Sequence, residues 1–125
     1  MPILKREVDL HSSDLFERAR GGPLWWVAHV RSCQEKVLAR FLREIGAAYY
    51  LPQYEKVVRR SGRKFVSYLP LFTGYVFFRG SLDERKRAFA SNVIVQMLAV
   101  LDQACLDREL ADLWRLQASK VPLVP

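Results

Sequence analysis

The sequence predicts a small mixed α/β protein, an α+β sandwich of the ferredoxin-like kind. Three observations lead there. The 125 residues suit one domain, and half of them are apolar, enough to build a core without staples. Hydrophobic patterning and break residues alternate along the chain in the order strand, helix, strand, strand, helix, strand, helix. That order is the split β-α-β-β-α-β arrangement followed by one extra helix, so a four-stranded antiparallel sheet flanked by about three helices is expected, with helices on one face.

The elements follow in turn. Residues 1–23 form a polar extension closed by Gly21-Gly22-Pro23; only Leu15 and Phe16 stand out as residues able to dock on the body. Leu24 to Val30 is aromatic and β-branched, a strand. Ser32 followed by Glu35 has the spacing of a capping box, in which each side chain satisfies a free N–H of the helix start. Cys33, Val37, Leu38, Phe41, Leu42 and Ile45 then fall on one helical face, and Gly46 ends the helix. Ala48 to Leu51 and Tyr54 to Arg60 are extended, interrupted at Pro52. Ser61-Gly62 marks a hairpin turn into Lys64 to Leu69, and after Pro70 the strand resumes over Thr73 to Arg79. Ser81 and Glu84 form a second capping box, opening a helix to about Ala90. Val93 to Leu98 is the last strand. Leu106, Leu110, Leu113, Trp114 and Gln117 mark a last helix capped by Asp102 or Asp107. Residues 120–125 read as the start of a linker.

Composition excludes several classes of function. No apolar run reaches the ~20 residues of a membrane helix, and the N-terminus lacks a signal-peptide core, so a cytoplasmic protein without membrane partners is expected. Two cysteines are too few for a disulfide scaffold or a structural zinc site. There is no G-x-S-x-G, no H-E-x-x-H, no phosphate-cradling glycine loop and no paired C-x-x-C. No catalytic set, metal, cofactor or small-molecule substrate is expected. His29 and Cys33 stand four residues apart with no orienting third group, which favours structural roles; a hydrolase using Cys33 as nucleophile is the weakest alternative.

The formal net charge of +7 is unevenly placed, with +6 of it in residues 25–64. There Lys56, Arg59, Arg60, Arg63 and Lys64 surround the hairpin turn, either as a solvated loop or as a patch for a polyanion, chiefly nucleic acid. The strand 73–79 is apolar on both sides, since Tyr75 and Phe77 alternate with Val76 and Phe78. Helices on one face leave the other to be covered by the last helix, the leader or a partner.

These residues carry a resemblance. Trp25-Trp26-Val27, then Arg31 with Gln34-Glu35-Lys36, then Tyr50-Leu51-Pro52 and Leu69-Pro70-Leu71-Phe72-Thr73-Gly74-Tyr75-Val76-Phe77 follow the order and spacing of the NusG N-terminal (NGN) domain family, with a weaker match at Leu106, Glu109-Leu110 and Leu113. The chain resembles most closely the specialised RfaH-type paralogues, over residues 24–119. Thr73 stands where the family usually has proline, and Cys33 where close relatives often carry a basic residue. The family's C-terminal KOW domain would follow the linker that begins near residue 120.

The resemblance implies a transcription elongation or antitermination factor with no enzymatic activity. Its partners would be bacterial RNA polymerase, through the clamp helices of the largest subunit, and the non-template DNA strand. Phe72, Tyr75 and Phe77 match the polymerase-binding patch, with Leu110 and Leu113 completing it from the last helix. Arg31 and Gln34 match the DNA-contacting start of the first helix, and Lys36 and Arg40 would add phosphate contacts. The basic hairpin would approach upstream DNA, and Arg85, Lys86 and Arg87 would face the opposing lobe of polymerase. The alternative is an RRM-like module stacking single-stranded RNA on Tyr75 and Phe77, which a similar topology and the aromatic strand support.

Overall fold

The structure is a computed structural model, and it describes residues 7–11 and 24–119. The Gly-Gly-Pro break, Leu15, Phe16 and residues 120–125 lie outside them. The elements are β1 (Leu10–His11), β2 (Leu24–Val30), α1 (Glu35–Glu44), β3 (Ala48–Tyr50), β4 (Gln53–Arg60), β5 (Arg63–Pro70), β6 (Tyr75–Gly80), α2 (Leu82–Ala88, continued by a 3-10 turn over Phe89–Ser91), β7 (Ile94–Ala99) and α3 (Gln103–Ala118). The central antiparallel sheet runs β3-β6-β2-β7, the ferredoxin-like order, with β1 added at the β3 edge.

Local chemistry explains most boundaries. Ser81 Oγ accepts from the Glu84 N–H, and the Glu84 carboxylate accepts from the Ser81 N–H, so the second capping box is present. Asp102 accepts from the Cys105 N–H and starts α3. The first capping box is absent. Helix α1 begins at Glu35 after Gln34, which makes no side-chain cap, and the Glu35 carboxylate accepts from the Gly74 N–H. Cys33 consequently precedes the helix, exposed in a turn at φ +62°, and is not on the apolar face.

The long hairpin is a separate two-stranded sheet. Pro52 lies between β3 and β4, and Pro70 is the last residue of β5. Proline donates no ladder hydrogen bond, and here the ribbon leaves the central sheet. Its two-residue turn has Ser61 at φ +51° and Gly62 at φ +75°, the pair of positive angles that matches the twist of the flanking strands.

The three helices do not share a face: of the coverings left open for the second side of the sheet, the last helix supplies most. Trp26, Ala28 and Val30 of β2 and Val76 and Phe78 of β6 face Leu38, Ala39 and Leu42 of α1 and Ala88 of α2. On the other side Trp25, Tyr50 and Phe77 pack against Leu110 of α3, with Val27, Leu106, Leu113 and Trp114 around them. Helix α3 is clasped to β2 by polar bonds. The Gln103 side chain accepts from the Trp25 N–H at 2.6 Å and donates to the Trp25 carbonyl at 2.9 Å, while the Trp25 indole N–H donates to Asp107 at 2.9 Å.

Part of the polar extension belongs to the body. Residues Glu7 to His11 run along β3, and the Leu51 N–H donates to the Asp9 carbonyl at 2.6 Å. Glu7 is buried between the Gln53 side-chain amide and the guanidinium groups of Arg40 and Arg43. Burial raises the Glu7 carboxyl, but the hydrogen bonds from Arg40, Arg43 and the Val8 amide outweigh it and hold it below the ordinary value of 4.5. A lowered folded-state pKa gives stability that is present above the unfolded value and is lost as pH falls through the folded one. Amide-exchange protection at Leu51 is therefore expected to hold at neutral pH and to fall below about pH 4.5, with Glu7→Gln removing that pH dependence.

Candidate functional site

The turn before β6 builds the site. The Tyr75 N–H donates to the Phe72 carbonyl at 3.1 Å, and Gly74 sits at φ +87°, the angle this position of a type II turn requires. Both polar backbone groups of Gly74 are bound: its N–H donates to Glu35 Oε2 at 2.8 Å, and its carbonyl accepts from the Val30 N–H at 2.9 Å. Glu35, itself buried, thus ties the start of α1 to the turn. A Cβ at Gly74 would meet only His29 at ordinary contact distance, so Gly74→Ala is expected to cost about 1–2 kcal/mol through backbone strain alone, read in denaturant unfolding. Thr73 occupies the position where a type II turn favours proline, and its φ is not positive. Thr73→Pro is expected to add about 0.5–1 kcal/mol by restricting the unfolded chain.

The turn presents Phe72 (43% exposed) and Tyr75 (36%) beside a nearly buried Phe77 (8%). Phe72 meets Phe77 edge to face at 5.5 Å between centroids, and Tyr75 stacks on His29 at 5.1 Å. Strand register explains the opening. Helix α3 covers the Trp25–Arg79 and Val27–Phe77 rows, while the next row, Gln96–His29–Tyr75, carries exposed Gln96 and Tyr75. Of the five residues expected to bind polymerase, the structure brings Phe72, Tyr75 and the edge of Phe77 together. Leu113 is half-buried under α3, and Leu110 (3%) lies in the core beneath it. His29 was missed as a member; its alternation with Trp25 and Val27 was the available signal.

The four residues expected at DNA divide likewise. Arg31 is exposed and Gln34 half-buried in the turn leading into α1, where the Gln34 N–H donates to the Arg31 carbonyl at 3.0 Å. This turn adjoins the aromatic row, because Val30 and Glu35 on either side of it both bind Gly74. Lys36 is buried, and its ammonium donates to the Tyr68 carbonyl at 2.5 Å, bracing the base of the hairpin. Burial lowers its pKa, partly offset by the Glu7 charge. Arg40 is engaged by Glu7. In the hairpin, Lys56, Arg59, Arg60, Arg63 and Lys64 are all exposed. In α2, Lys86 and Arg87 are exposed, whereas Arg85 lies over the rings of Trp26 (5.0 Å) and Phe89 (5.4 Å).

The family model described as transcription termination factor nusG matches residues 23–104, about two thirds of the chain. The chain belongs to the NusG family. The match spans β2 through the start of α3 and so contains the aromatic turn, the Arg31–Gln34 turn and the hairpin. A search of curated proteins finds no match. This NusG-family domain is a transcription-associated protein, in a family of non-enzymatic factors that interact with RNA polymerase. Among the described residues no helix is long and apolar enough to cross a membrane.

Proposed function

We propose that this domain is a transcription elongation or antitermination factor. It seats the Phe72–Tyr75 row on the clamp helices of bacterial RNA polymerase and brings Arg31 and Gln34 to the non-template DNA strand. The observation that carries this reading is the continuity of the two surfaces. An exposed aromatic row and an exposed polar turn meet at one glycine, Gly74, which lies between Phe72 and Tyr75 in the chain and whose N–H and carbonyl are bonded to Glu35 and Val30 at the two ends of the polar turn. Aromatic anchors suit a protein partner, and the arginine suits phosphate.

Such a factor makes and breaks no bond. It favours the elongating state by its differential affinity for the closed and the paused polymerase. The hairpin cations Arg59, Arg60, Arg63 and Lys64 would add salt-sensitive contacts to upstream DNA. The RNA-stacking alternative is less well supported, because α3 lies across the sheet face that such a module keeps open and Phe77 is nearly buried. Co-elution with bacterial core RNA polymerase tests the proposal. Binding is expected; a folded domain that fails to co-elute, yet binds single-stranded RNA, overturns it in favour of the alternative.

A further inference from the structure

Arg40 and Arg43 stand three residues apart on α1 and so project from neighbouring positions on the helix surface. They close on the two oxygens of one carboxylate: Arg40 Nε donates to Glu7 Oε2, and Arg43 Nη1 donates to Glu7 Oε1 at 2.7 Å. Planar guanidinium groups converging on an oxyanion are the geometry of phosphate recognition as much as of an ion pair. The carboxylate belongs to the leader segment, not to the sandwich. That segment is held by two residue pairs with β3, by the Leu51–Asp9 bond, by the Tyr49 hydroxyl donating to the Val8 carbonyl at 2.6 Å, by reciprocal bonds between Gln53 and the Glu7 backbone, and by Leu10 packed on the core.

Two further observations favour exchange of this carboxylate for a phosphate chain. The arginine side chains keep 51% and 33% of their exposure while Glu7 keeps 6%, so the carboxylate gives up hydration for cations that remain open to solvent. Release returns the carboxylate to water and leaves two solvent-accessible guanidinium groups for another oxyanion. Lys36, one turn before Arg40, is buried and bonded to β5 at Tyr68, so it ties α1 to the hairpin and is not itself open to a phosphate. The hairpin carries further exposed cations at 56, 59, 60, 63 and 64, which suit a polyanion more than a single ion.

We infer that Arg40 and Arg43 form a phosphate-binding site for a nucleic-acid strand, and that Glu7 occupies it as a built-in competitor. Undocking of residues 7–11 then adds phosphate contacts to the DNA-binding face. This rests on the DNA reading given under the proposed function.

The test is the salt dependence of binding to an unstructured single-stranded DNA oligonucleotide, for wild type and Glu7→Gln. The variant is expected to bind more tightly at low salt. Its slope of log K against log salt should steepen by about 0.7 for each arginine released. Adding Arg40→Gln and Arg43→Gln should return the slope to the wild-type value. Asp112→Asn, which removes the same charge from the exposed side of α3, should leave it unchanged. If wild type binds and Glu7→Gln has the same slope, the competitor role is overturned and the DNA reading stands. A steeper slope that survives the arginine substitutions, or that Asp112→Asn reproduces, overturns it as a general charge effect. If neither wild type nor Glu7→Gln binds the oligonucleotide, this inference and the DNA reading fall together.

Discussion

Replacing Phe72 and Tyr75 together by alanine is expected to abolish co-elution with RNA polymerase while the domain stays folded. Both rings project from a turn whose backbone is held independently of them, by Glu35 and Val30 on Gly74. Both are more than a third exposed, so truncation removes little of the core. As aromatic anchors at the centre of an interface, each is worth about 2 kcal/mol or more, roughly a thirty-fold loss of affinity. Thermal unfolding of the double variant should stay within a few degrees of wild type, and co-elution should disappear. A folded double variant that still co-elutes would move the polymerase site away from this row. Phe77, at 8% exposure, is the poorer choice for such a test, since its truncation opens the core under α3.

Leu110→Ala is expected to have the opposite signature. The resemblance assigns Leu110 to the polymerase patch, but it is 3% exposed and packs on Trp25, Tyr50 and Phe77. Truncating a leucine so placed removes its transfer free energy and leaves a cavity, together about 2–5 kcal/mol. For a domain of this size that lowers Tm by on the order of 10 °C. At temperatures where the variant is still folded, polymerase binding should be close to that of wild type. A variant with unchanged Tm and lost binding would instead make Leu110 a contact residue. The pair of experiments separates what touches the partner from what holds the sheet beneath it.

The two substitutions also mark how much of the site was legible beforehand. Tyr75 was recognisable because a strand apolar on both sides announces a face to be covered, whereas Phe72 entered only through the resemblance. Which residues of that face stay open depends on where α3 lies. That is set by the Gln103–Trp25 and Asp107–Trp25 bonds, made across 78 and 82 residues of chain. The Gln34-Glu35-Lys36 piece was visible, but its physical meaning was not. Spacing made Glu35 a helix cap, and the resemblance made Lys36 a phosphate contact. In the fold Glu35 holds Gly74 and Lys36 holds Tyr68, 39 and 32 residues away, and satisfying those backbone groups takes precedence over the local roles. Glu7 was equally hidden: one of four acids among four basic residues in the leader, it has no signature until β1 sets it against Arg40 and Arg43.

What the chain's own order of residues settled was local. Strand β2 over Leu24–Val30, the Ser81–Glu84 box, the Asp102 cap and the Ser61-Gly62 turn all depend on neighbours within four residues. The ferredoxin-like order followed from counting such elements. Three-dimensional packing settled the rest. It put α3 on the second face of the sheet, freed the hairpin at Pro52 and Pro70, and docked the leader on β3. It also divided the candidate residues into those that face outward and those that brace them. The physical reason is that an apolar face or a buried polar group must find a partner somewhere, and a sequence pattern states the need without naming which distant residue meets it.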